Sequence, residues 1–131
     1  MPFDVPLFVE RFLAPLLIIV GLSHIIAARQ WVAFFNEILP KPWAGLAIGM
    51  FTLPLGLAIA ISHNIWVPHF PVVTTIIGWG MSIKGALYLL IPGLPARVAG
   101  KLMNPATMMI GGLIAIVLGV VILIGAYFLL M

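Results

Sequence analysis

The run at residues 72–91, VVTTIIGWGMSIKGALYLLI, is twenty residues long and holds a single charge, Lys84. At about 1.5 Å of rise per residue, such a run just spans a hydrocarbon core about 30 Å thick, and Lys84 falls about 4 Å past the midplane counted from Val72. A cation at that depth costs roughly 2.5 to 3.5 kcal/mol on insertion scales. The stretch therefore restricts the chain to a membrane fold and makes Lys84 the first residue to examine for a role.

The rest of the chain agrees. It has 131 residues, 64% hydrophobic and 7% charged, against about 25% charged in soluble domains. Too little polar surface exists to cover an aqueous globule, so the expected class is an all-α, polytopic membrane four-helix bundle forming one domain over 1–131. The six basic residues and three acids are scattered without a run of like charge, which argues against nucleic acid as a partner. The absence of cysteine excludes disulfides, thiolate metal sites, iron–sulfur ligation and cysteine nucleophiles. The opening MPFDVPLFVERF lacks a basic n-region and a small-residue cleavage site, so the first apolar run is expected to be a span.

Four spans are expected at about 7–28, 43–62, 72–91 and 106–130, each bounded by Pro, Gly or charge. Between the first two, Trp31, Phe34, Phe35 and Ile38 recur at helical spacing opposite Arg29, Gln30, Asn36 and Glu37, predicting an interfacial helix over about 29–39. A second is expected over about 95–103, where Leu94, Val98 and Leu102 lie one turn apart, as do Arg97 and Lys101. Asn104 reads as an N-cap and Pro105 as the first residue of the last span. Pro54 interrupts the second span. Small residues are placed for close helix packing: Gly45, Gly49 and Gly56 in the second span, Gly78 and Gly85 in the third, and Gly111, Ala115 and Gly119 in the fourth.

Arg29, Lys41, Arg97 and Lys101 lie in the first and third connections, whereas the second has no Lys or Arg and the termini contribute Arg11 alone. The positive-inside rule then puts those two connections in the cytoplasm, and both termini and the histidine-bearing connection outside. The halves also resemble each other, each reading span, interfacial helix, proline, glycine-rich span, with GLS at 21–23 answering GMS at 80–82. That pattern is expected of a parallel repeat about an axis along the membrane normal.

Two polar sets emerge. An intramembrane set comprises Lys84, His24, Ser23, Ser82 and Tyr88, where a buried lysine would bind an anion or release a proton and the alternative is a lysine snorkelling to the interface. An outer set comprises His63, Asn64, Trp66 and His69 with Glu10, read either as a metal or proton-relay site or as ordinary loop and anchoring residues. Trp79, near midspan, is expected to bond across the bundle. No metal or other cofactor is expected: the two histidines six apart lack a third ligand at a defined spacing, and bis-histidine haem needs two histidines at one depth. No nucleophile elbow, phosphate loop, dinucleotide fingerprint or HExxH occurs.

The segment at 63–85, HNIWVPHFPVVTTIIGWGMSIKG, resembles a motif of small uncharacterised bacterial integral membrane proteins, in which an HN-x-W loop leads into a GW span carrying KG. His63, Asn64, Trp66, Gly78, Trp79, Lys84 and Gly85 carry the resemblance, which covers residues 62–92; Pro68 and His69 depart from the acidic residue or second tryptophan of that family. It implies four helices and a bacterial membrane, and no activity. GLSH with FFNEILPKP is fainter in its similarity to DoxX-like proteins, also four-helix. The expected function is that of a non-enzymatic membrane protein acting as a homo-oligomer or as an accessory subunit, with the lipid bilayer and other membrane subunits as partners. The alternative is a small transporter or channel for an ion, proton or small solute with its polar site around Lys84 and His24.

Overall fold

The computed structural model describes residues 4–99 and 104–129. They form α1 (Val5–Ile26), α2 (Ala28–Ile38), α3 (Ala44–Ser62), α4 (Pro71–Leu90), α5 (Leu94–Ala99) and α6 (Pro105–Ile124), which continues into a π-helical turn, Gly125–Leu129. The described residues contain no strand, so the chain is all-α. α1, α3, α4 and α6 are each long and apolar enough to cross a membrane, and they fall within two residues of the starts expected for the four spans. Lys101, Leu102 and the rest of 100–103 lie outside the described residues, as do 130 and 131.

Local chemistry sets the ends of these helices. Asp4 caps α1 by accepting the Leu7 N–H at 3.0 Å, and Asn104 caps α6 by accepting the Thr107 N–H at 2.9 Å, with Pro105 following as expected. Between α1 and α2 the chain breaks at Ala27, and Trp31 closes the corner. Its indole donates to Ser23 Oγ at 2.9 Å and stacks on His24 with ring centroids 4.2 Å apart.

The long helices associate in two pairs, α1 with α6 and α3 with α4, and contact between the pairs is slight beside that within them. Glycine makes each pair possible. A Cβ on Gly21 would lie 2.5 Å from the Gly112 carbonyl oxygen, and one on Gly112 would lie 2.5 Å from that of Gly21. In the other pair a Cβ on Gly85 would lie 2.5 Å from Leu53 N, and one on Gly56 equally close to Ser82 N. Gly45, Gly49, Gly78 and Gly119 are likewise packed against neighbouring helices or turns. Gly111 is the exception: nothing stands within 4 Å of its would-be Cβ, so the expected stripe is corrected by one residue. The buried face of α6 runs through Met108, Gly112, Gly119 and Ile122, with Ala115 half-buried on the same side, and Gly111 lies about 100° away.

The pairs meet at one end of the bundle, where Leu13 and Ala14 of α1, Ile59 of α3 and Ile122 of α6 form the core, with Val73, Ile77 and Met81 of α4 packed on it. A two-fold exchange of halves would carry α1 onto α4 and α3 onto α6, hence one pair onto the other. It would also carry α2, which packs on α1 and α6, onto α5, which packs on α4 and α3. The pairing thus follows the repeat read from the sequence. The aligned glycines do not, because Gly21 is packed and Gly80 has nothing within 4 Å.

Gly85→Ala is expected to destabilise the bundle by about 1–3 kcal/mol through overpacking. Gly111→Ala should be neutral or stabilising by up to about 1 kcal/mol. Unfolding by graded SDS in mixed micelles, followed by circular dichroism, measures both.

Candidate functional site

The α3 helix ends at Ser62, and His63 follows as its cap, its N–H still bonded to the Ile59 carbonyl at 2.8 Å. Its imidazole turns inward, where no part of it is exposed. Glu10, in the second turn of α1, meets it from one side: His63 Nε2 and Glu10 Oε1 are 2.6 Å apart. Thr75, in the second turn of α4, meets it from the other, with Nδ1 and Oγ1 separated by 2.9 Å. Glu10 is 4% exposed and Thr75 not at all, so three polar side chains share a site that water scarcely enters.

The hydroxyl of Thr75 accepts the Ile65 N–H at 3.0 Å, and its one hydrogen has two acceptors within reach, the His63 carbonyl at 3.1 Å and Nδ1 at 2.9 Å. The contact between Nε2 and Oε1 is short enough to need one hydrogen between them.

One side of the site is open. Glu10 lines a cleft of about 330 Å³ with Asp4, Pro6, Leu7, Ile65 and Pro71. The neighbouring turns of α1 and α3 contribute Leu13, Ala14 and Ile59 to the apolar core. The arrangement ties α1, the α3–α4 turn and α4 together through one buried hydrogen-bonded group.

Of the outer set, then, Glu10 and His63 come together. Asn64 and Trp66 form a separate exposed clasp, in which Asn64 Oδ1 accepts the Trp66 indole at 2.6 Å and that of Trp79 at 3.2 Å. Trp79 is thus corrected: it does not bond across the bundle but leans towards the start of its own helix, the direction in which helical side chains point. His69 is exposed and accepts the Phe70 N–H at 2.8 Å. No three His, Asp or Glu residues among those described are placed to share a metal ion.

The intramembrane set does not assemble. Ser82 is buried against α3 and donates to the Gly78 carbonyl at 2.8 Å. Lys84, about 200° further round α4, is exposed, with Nζ 5.5 Å from the Tyr88 ring centroid. Ser23 and His24 belong to the α1–α2 corner; His24 Nδ1 is bonded to the Val20 carbonyl at 2.8 Å. Ser82 and His24 are satisfied by a carbonyl one turn back, as a helix allows, and Ser23 by the Trp31 indole.

Thr75 was not singled out from the sequence, nor was Arg11, whose guanidinium lies 5.0 Å from the Tyr127 ring centroid. The available signal was the threonine pair at 74–75 near the start of an apolar span. One side of that helix faces α3, and the next residue round reaches His63.

These features define an all-α membrane protein of four apolar helices with a carboxylate–imidazole pair buried at the junction of its two helix pairs. No protein-family model, curated protein or solved structure matches the chain.

Removing one partner of the pair should be costly and replacing it conservatively should not. Glu10→Ala strands Nε2 and is expected to lose about 1–3 kcal/mol. Glu10→Gln, whose amide can donate to Nε2, should keep most of that stability in the same SDS titration.

Proposed function

We propose that this is a non-enzymatic integral membrane protein of the bacterial inner membrane that works by assembly, as a homo-oligomer or an accessory subunit of a membrane complex. The observation that carries the reading is the outward side of α4. Gly80 and Lys84 are exposed one turn apart there, and none of the described residues lies within 4 Å of a Cβ built on Gly80. An exposed glycine within a helix costs roughly 0.5–1 kcal/mol relative to alanine, a cost offset where another helix packs on it. A cation at this depth likewise favours a protein surface over lipid. The open Gly111 puts a second such position on α6.

The basic residues support an orientation with α2 and α5 on the cytoplasmic side and both termini outside. The resemblance carried by His63, Asn64, Trp66, Gly78, Trp79, Lys84 and Gly85 supports the bacterial setting. Transport past Lys84, His24, Ser23 and Ser82 has weaker support, because those side chains face three directions and glycine contacts close both pairs.

Counting photobleaching steps for single labelled proteins in nanodiscs tests assembly. More than one copy per disc, or a co-purifying membrane subunit, is expected, and Gly80→Leu should reduce the association at least several-fold. A lone monomer with no partner would sink the proposal.

A further inference from the structure

We infer that the outward face of α4 receives a spanning helix of a different membrane protein, and that this helix carries an Asp or Glu within its span as the counter-ion of Lys84. The inference rests on the assembly proposed above and decides its partner, an unlike subunit instead of a second copy.

The exposed residues of α4 form a seam. Ile76, Gly80, Ile83, Leu87 and Leu90 succeed one another at steps of four and three residues in turn. That is the spacing by which two helices interlock side by side, the packing most spanning helices use. Gly80 sits inside the seam, open at its would-be Cβ, and lets a partner's backbone come close. Trp79 and Lys84 flank the seam on opposite sides, at the positions where charge selects the partner in such packing. Asn64 Oδ1 holds the Trp79 indole from before the start of α4, so the ring is drawn away from Lys84.

Lys84 is the only charged residue exposed on any of the four apolar helices. Its ammonium meets the Tyr88 ring and no carboxylate, since the one acid–base contact among the described residues is that of Glu10 with His63. Charges inside a membrane pair with one another, so the missing partner is an acid at this depth.

A second copy does not supply one. The chain has three acidic residues, Asp4, Glu10 and Glu37. Glu10 is engaged with His63 at the level of Thr75, which precedes Lys84 by about 13 Å along α4. Asp4 lies further out still, capping α1. Glu37 belongs to α2, beyond the opposite end of α1, and Lys84 stops about 9 Å short of the matching end of α4 with its side chain leaning away from it. Two copies inserted alike therefore bring two cations and no acid to this face. An unlike helix with its own unpaired carboxylate between the levels of Gly80 and Lys84 replaces two isolated charges by one ion pair, and each protein then hides the other's cost.

The probe that tests this is a synthetic spanning peptide of leucine and alanine, with one glycine at its middle and one aspartate a turn away, beside the same peptide with leucine in place of the aspartate. Energy transfer from the labelled full chain to each labelled peptide is measured in zwitterionic lipid. The aspartate peptide is expected to associate at least about fivefold more tightly than the leucine peptide. Lys84→Met should erase that preference, Lys84→Glu should pass it to a peptide with lysine in place of the aspartate, and Gly80→Leu should weaken association of the aspartate peptide. Equal association of both peptides with the wild type, a comparison that needs no variant to fold, overturns the inference. So does a preference that survives Lys84→Met, or one abolished by added anionic lipid, which would make lipid phosphate the counter-ion. Photobleaching counts separate the two readings: several copies per disc with no preference for aspartate leave assembly standing and refute the unlike partner, whereas a monomer indifferent to both peptides refutes both.

Discussion

Lipid gives one apolar helix no hydrophobic reward for covering another, so this bundle depends on how closely backbones can approach. At Gly21 and Gly112, and at Gly85 against Leu53, the would-be Cβ positions lie 2.5 Å from atoms of the facing helix. Only hydrogen fits there, and its reward is dispersion between two backbones along a shared seam. The consequence is a bundle of two tight pairs rather than four equivalent helices. What remains between the pairs is side-chain packing around Leu13, Ile59 and Ile122 at one end.

That division gives one hydrogen bond a disproportionate role. Within a pair, losing a polar contact would leave a long glycine seam intact. Between the pairs, Glu10 and His63 supply directional contact where packing is sparse, and they do so under burial that makes an unmade bond expensive. Thr75 fixes the imidazole from behind, through the hydroxyl that also ties down Ile65 and the His63 carbonyl. The turn, the cap of α3 and the inter-pair bond are therefore one unit, and a change at any of the three is felt by the others.

How much of this the sequence disclosed depends on what determines each feature. Span positions follow from hydropathy and length, which are local, and so do caps such as Asn104 with Pro105. The small-residue faces were legible to within one residue: Gly111 and Gly112 differ only in which of them faces α1, and adjacent glycines carry no side chain to reveal it. The polar sets were harder. Grouping Lys84 with Ser82 by depth neglected the angle around the helix, and depth alone does not bring side chains together. Glu10 and His63 were grouped because both belong to the outer end, yet Thr75 went unnoticed because threonine in a span normally bonds its own helix. Its partner is set by the path of the turn, which no periodicity encodes.

Lys84 shows how the remaining free energy bears on the whole. Its Cα–Cβ bond leans towards the start of α4, away from the nearer helix end at Leu90, about 9 Å off, so reaching that end works against the direction of the side chain. Tyr88 leans back the same way and presents its ring 5.5 Å from the ammonium. A cation–π contact of about 0.5–2 kcal/mol recovers part of an insertion cost of roughly 2.5–3.5 kcal/mol, and leaves a deficit of about 0.5–3 kcal/mol. Glycine seams and the Glu10–His63 bond cannot make up that deficit locally, because they face inward. A neighbouring helix drawn close at Gly80, offering an acceptor one turn further on, would relieve it, and the glycine and the lysine then share one reason for facing out.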